Sequence, residues 1–124
     1  MHLNLLVGWV AMIGGAFSGA GIGLYFHDDQ WLGGYASFRR RMLRLGHIAF
    51  FGLGILNVLF ALSAAEFVVR SPFDRIASMA FALGAITMPA CCFLTAWRPY
   101  FRHVFVVPVL CVAIGLTGVL GGLQ

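Results

Sequence analysis

Residues 45–65 read LGHIAFFGLGILNVLFALSAA, 21 consecutive positions without a charge between Arg44 and Glu66. A helix rises about 1.5 Å per residue, so such a run covers about 30 Å, the hydrocarbon thickness of a bilayer. An open sheet in the same place would leave backbone N–H and C=O groups unpaired in lipid. A membrane barrel would show short strands with alternating polar positions, and this stretch shows none. The segment therefore predicts a transmembrane helix, and it sets the frame for the rest of the chain.

Working outward, three more stretches meet the same length requirement. The predicted spans are about 3–26, 42–65, 73–96 and 103–123. Composition agrees: 61% of the 124 residues are hydrophobic and only 10% are charged. A soluble domain carries about 25% charged residues, and a disordered chain cannot hold this much apolar surface in water. The expected fold is an all-α integral membrane protein, a four-transmembrane-helix bundle forming one domain over residues 1–124.

The connections fit these boundaries. Ser71-Pro72-Phe73-Asp74 reads as a helix start, with a capping serine, proline at the first helical position and an acid in the first turn. Trp97-Arg98-Pro99 reads as a stop, because proline disfavours helix in the residue before it. Phe38, Met42 and Leu45 recur at helical spacing, so the second helix is expected to begin early. Pro89 predicts a kink in the third helix and a freed carbonyl near Ala85, within reach of Thr87 or a neighbouring helix.

All eight basic residues are arginine. Arg39, Arg40, Arg41, Arg44, Arg98 and Arg102 flank the first and third connections, and Arg70 and Arg75 flank the second. The positive-inside rule then puts the first and third connections in the cytoplasm and both termini on the non-cytoplasmic side. Trp31, Tyr35, Trp97 and Tyr100 share the arginine-rich side as interfacial anchors. The first segment, with no preceding basic residue and no small-residue cleavage site, is expected to be a retained span. The absence of lysine suggests a GC-rich bacterial genome, hence a bacterial inner membrane. The expected partners are membrane lipids, anionic ones especially, and other membrane subunits of a larger complex. No zinc-finger, RNA-binding or basic-helix pattern points to nucleic acid.

Cys91, Cys92 and Cys111 have no metal-ligand spacing and read as small packing residues. Ala11, Gly15, Gly19 and Gly23 form a ladder of small residues that allows close approach of another helix or of a flat ligand. Gly115, Gly118 and Gly122 repeat the pattern in the fourth helix. No nucleophile elbow, phosphate loop or HExxH pattern occurs. No carboxylate lies at a span centre, which argues against a proton-coupled transport cycle.

Ionisable residues at membrane depth are the natural place to look for function. His27, His47 and His103 fall on the same side of the bundle. His47 lies about 4.5 Å beyond Arg44 along the axis, already in apolar surroundings. At about 100° per residue, His47, Phe51, Gly54, Val58 and Ala61 share one face, with Asn57 on its flank. A b-type haem could lie edge-on there, with iron on His47, its ring over Gly54, and interfacial arginines such as Arg44 near the propionates. A six-coordinate electron-transfer haem needs a second axial ligand, for which His103 is the first choice and His27 the second. An interfacial histidine that hydrogen-bonds a carbonyl or a headgroup is the alternative. His27, Asp28 and Asp29 lack paired ligand spacing and read as a solvated loop.

The stretch from His47 to Asn57, with its Phe50-Phe51 pair, Gly52 and Gly54, resembles the haem-ligating second helix of haem-copper oxidase catalytic subunits. That resemblance implies that His47 is an axial haem ligand. Copper-binding histidines have no counterpart, so it does not imply oxygen reduction. Small multidrug transporters resemble the chain in length and helix count, but their first-helix glutamate is missing. Fluoride channels resemble it through residues 14–20 and Asn57, but their arginine and third-helix threonine/phenylalanine motif are missing.

The leading expectation is a small subunit of a respiratory or other redox complex that binds haem b, without enzymatic activity of its own. The alternatives are a cofactor-free structural or assembly subunit and a small channel or transporter.

Overall fold

A computed structural model describes residues 2–65 and 72–122. Its elements are α1 (His2–Leu24), a 3-10 turn (Trp31–Gly33), α2 (Phe38–Ser63), α3 (Pro72–Trp97), a second 3-10 turn (Pro99–Phe105) and α4 (Val106–Gly122). Among the described residues four helices, the last counted with its 3-10 lead-in from Pro99, are long and apolar enough to cross a membrane.

The early start of α2 has a local cause. Ser37 is extended (φ −63°, ψ 150°) and its hydroxyl accepts the Arg40 N–H, so the helix is capped at Phe38, four residues ahead of the apolar run's expected edge. Leu32, Gly33 and Gly34 all take positive φ (54°, 87° and 92°) and turn the chain toward that cap. The described part of α3 begins at Pro72; the expected capping residue Ser71 lies outside the described residues, as do Glu66 and Arg70. The helix then runs unbroken through the buried Pro89, and Thr87 donates to the Leu83 carbonyl rather than to that of Ala85. Pro99 ends α3 and opens a 3-10 segment, so regular α4 begins at Val106, three residues later than expected.

Consecutive helices are antiparallel neighbours. Gly8 lies against Gly54 and Val58, Gly15 against Phe51, and Gly19 against His47, which runs α1 down α2 in steady register. Gly46 meets Cys92 and Phe93, and Phe60 packs on Phe81, which sets α2 on α3. Gly84, Gly115 and Gly118 receive Val112, Phe81 and Ala77 in turn, which sets α3 on α4. Contacts concentrate on these three pairs, with a smaller α1–α3 contact. Among the described residues the bundle is therefore open: α2 and α3 form its middle, α1 and α4 its flanks, and the flanks do not close the ring.

The small-residue ladder is real but shifted. On α1 the buried face is Asn4, Gly8, Ala11 and Gly15. A Cβ at Gly8 would sit 2.7 Å from the Gly54 carbonyl oxygen, whereas Gly23 faces open space. The buried cysteines Cys91 and Cys92 and the half-buried Cys111 are all free thiols, as packing residues should be.

Candidate functional site

Two features stand out where α1, α2 and α3 meet. Toward the arginine-rich end, the half-buried His47 lays its ring on the backbone of Gly19, with Cε1 the nearest ring atom. A side chain at position 19 would collide with it, so the glycine exists to admit the imidazole. His47 Nδ1 is 2.8 Å from the Gly15 carbonyl oxygen, and Ser18 Oγ donates to the same oxygen at 2.9 Å. A carbonyl only accepts, so the network assigns the proton to Nδ1. In the neutral ring, Nε2 is then the lone-pair nitrogen. Phe51 meets the ring edge-on, with centroids 5.5 Å apart and planes at 84°.

About three turns further along α2 lies a buried amide cluster. Asn4 Nδ2 donates to Asn57 Oδ1 at 2.8 Å and to the Ser78 carbonyl at 2.9 Å. Asn57 Nδ2 donates to the carbonyls of Leu53 (2.9 Å) and Phe81 (3.0 Å). The Ser78 hydroxyl donates to Asn4 Oδ1. Both asparagines are fully buried. Each polar atom of the two side chains has a partner, as buried polar groups require. The cluster ties three helices together by side-chain hydrogen bonds.

These placements bear directly on the residues named from sequence. Gly54 and His47 do share the α1-facing side of α2, but the space over Gly54 is filled. A Cβ there would meet the Gly8 carbonyl oxygen and Met12 Cγ, each at 2.8 Å. Asn57 points into the amide cluster. His27 and His103 are exposed in the connections, and His103 contacts the Tyr100 ring (centroids 5.9 Å apart). Arg44 stacks over the Tyr35 ring at 4.2 Å and donates to the Tyr35 carbonyl at 3.4 Å. Among the described residues no group of three or more His, Cys, Asp or Glu side chains is placed to hold a metal ion. His47 thus turns one ring nitrogen to a carbonyl of α1, and the face of α2 that carries His47 and Gly54 is covered by α1.

Sequence reasoning passed over Asn4, Ser78 and Arg40. Asn4 precedes Gly8, Ala11 and Gly15 at spacings of four, three and four, so extending the small-residue stripe by one step would have reached it. Arg40 carries a positive charge yet is only 4% exposed. Its guanidinium carbon lies 5.4 Å from the Trp31 ring and 5.7 Å from each of the Phe26 and Tyr35 rings, and Nη1 donates to the Asp28 carbonyl at 3.4 Å. Trp31 in turn stacks on Tyr25 at 4.9 Å. The first connection is thus wound around one cation.

No family model, curated protein or solved structure matches the chain.

Proposed function

We propose that this chain is a small integral membrane protein acting as a structural or assembly subunit of a larger membrane complex, with its arginine-rich connections in the cytoplasm. The observation that carries this reading is the filling of the space over Gly54 by Gly8 and Met12. The residues that would make a cofactor cleft are engaged instead in helix contact and in the amide cluster. The outward faces support it: Trp9, Phe17, Leu110 and Leu120 are exposed on the two flanking helices and offer apolar surface to lipid or to another subunit. A bacterial inner membrane is the proposed location.

A second reading, a redox subunit holding haem b, keeps one specific observation in its favour. Metal-ligating histidines usually donate their other ring N–H to a carbonyl, and His47 does so to Gly15. Here His47 Nε2 would be the iron ligand, and the haem would supply one-electron transfer. Its ring would need a seat outside the α1–α2 contact, and its second ligand would come from His103, His27 or a partner subunit. For the channel or transporter option, the structure adds no support, because Asn57 and the glycines at positions 8, 15 and 54 are all in helix contact.

Purification in mild detergent from haem-supplied cells separates these readings. Colourless protein that co-purifies with larger membrane proteins is the expected result. A Soret band with reduced-minus-oxidised haem features, lost in His47→Ala, would replace the structural reading with the redox one. A stable, colourless, solitary monomer would remove both.

A further inference from the structure

The three threonines of the chain behave differently. Thr87 and Thr117 donate their hydroxyls to carbonyls one turn back, those of Leu83 (2.8 Å) and Ala113 (3.0 Å). Thr95, two residues before the end of α3, does not. It is 1% exposed and its buried Oγ1 has no hydrogen-bond partner among the described residues. A buried hydroxyl without a partner is a departure from how folded chains treat polar groups, and it asks for an acceptor.

Thr95 lines a groove of about 650 Å³. One wall is Phe38, Met42 and Leu45, a single face of α2 at helical spacing; the other is Pro99, Arg102 and Phe105 of the 3-10 segment. Apart from Thr95, the one polar residue of the lining is Arg102, whose side chain is exposed, and the lining surface itself is almost wholly apolar. Among the described residues no carboxylate pairs with Arg102. Six of the eight arginines lie at this end of the bundle, against two carboxylates, Asp28 and Asp29. Arg40, Arg44 and Arg98 are engaged by aromatic rings there, while among the described residues Arg102 is not.

The depth of each group matters. Trp97 and Tyr100, 66% and 79% exposed, mark the level where aromatic residues meet headgroups. Arg102 follows them in the connection. Thr95 precedes Trp97 by two residues in α3, which sets it about 3 Å deeper along the helix axis, just inside the headgroups. We propose that the groove is a binding site for one anionic diacyl phospholipid. The phosphate pairs with Arg102, an ester carbonyl accepts the Thr95 hydroxyl proton, and an acyl chain lies along Phe38, Met42, Leu45 and Phe105. The three chemical parts of such a lipid follow the same order as the three parts of the groove. The apolar walls and the lone donor fit any diacyl phospholipid; Arg102, at an end that holds six arginines against two carboxylates, selects an anionic headgroup over a zwitterionic one.

The site rests on the membrane placement proposed above, and its test keeps the two separate. Protein that stays soluble without detergent would overturn the placement. For the lipid site, thermal unfolding of the delipidated full chain is followed on titration with phosphatidylglycerol and, separately, phosphatidylcholine of the same acyl chains. Phosphatidylglycerol is expected to raise the melting temperature more. Arg102→Gln should weaken that effect about tenfold in lipid concentration, as loss of a charge-assisted contact would. Thr95→Val should weaken it less, and Arg75→Gln, in the first turn of α3 at the opposite end, should leave it unchanged. Equal shifts with both lipids, or shifts insensitive to Arg102→Gln, would overturn the proposal. Stabilisation by inorganic phosphate to the same extent would overturn it in favour of a simple anion site. A shift with an isoprenoid quinone that depends on Thr95 but not on Arg102 would assign the groove to a neutral carbonyl ligand instead.

Discussion

Removing the Asn57 carboxamide strands several groups at once. Asn4 loses an acceptor, and the carbonyls of Leu53 and Phe81 each lose a donor. Interhelical hydrogen bonds in lipid contribute about 0.6 kcal/mol on average and up to about 1.7 kcal/mol. Asn57→Ala should therefore cost about 1–2 kcal/mol in reversible unfolding from mixed micelles. A double-mutant cycle with Asn4→Ala should give a coupling of about 0.6–1.7 kcal/mol; additivity would mean that the amides do not hold the helices together. The glycines make a paired prediction. A Cβ at Gly8 meets backbone 2.7 Å away, which cannot rotate aside, whereas Gly23 has nothing within 4 Å. Gly8→Ala should destabilise by about 1–3 kcal/mol, as overpacking does. Gly23→Ala should be neutral or should stabilise, by at most about 1 kcal/mol of helix propensity. Equal effects would refute the register of α1 on α2.

The first connection is held as an element by Arg40. Each cation–π contact contributes about 0.5–2 kcal/mol, more when desolvated, and this guanidinium is buried. Arg40→Met should speed amide hydrogen exchange over residues 25–37 by tenfold or more, since about 1.4 kcal/mol is a factor of ten. Arg40→Lys should restore only part of the protection, because an ammonium lacks the planar, stackable face. Protection unchanged in Arg40→Met would show that the glycine turns alone order the segment. Elements were the most legible part of the fold. Apolar run lengths revealed the four long helices, Pro99 marked the end of α3, and Phe38-Met42-Leu45 announced the early start of α2. Contacts between elements were less legible. A helical wheel of α2 grouped Gly54 with His47 correctly, but it could not say whether a ligand or α1 would occupy that face. The same limit hid the aromatic enclosure of Arg40. Its three rings come from a stretch without regular period, brought together by residues with positive φ.

At the scale of the molecule, the distribution of arginine carries a topological prediction. Ala36 is exposed in the first connection. An Ala36→Cys variant should react with a membrane-impermeant thiol reagent only when the cytoplasmic side is opened; labelling of intact cells would reverse the proposed orientation. The open bundle also divides the helices by the kind of force that holds them. The amide cluster joins α1, α2 and α3, while α4 meets α3 through glycines, Val112, Phe81 and Ala77. This division has a consequence during synthesis. Asn4 is made well before its partners, which lie 53 and 74 positions later in the chain. Until the start of α3 emerges from the ribosome, the Asn4 amide has no native partner beyond Asn57, and α1 must wait beside the translocation machinery or in lipid with its polar group incompletely matched. A nascent chain arrested before Ser78 should be extracted and degraded faster than one arrested after α3, and Asn4→Leu should erase that difference.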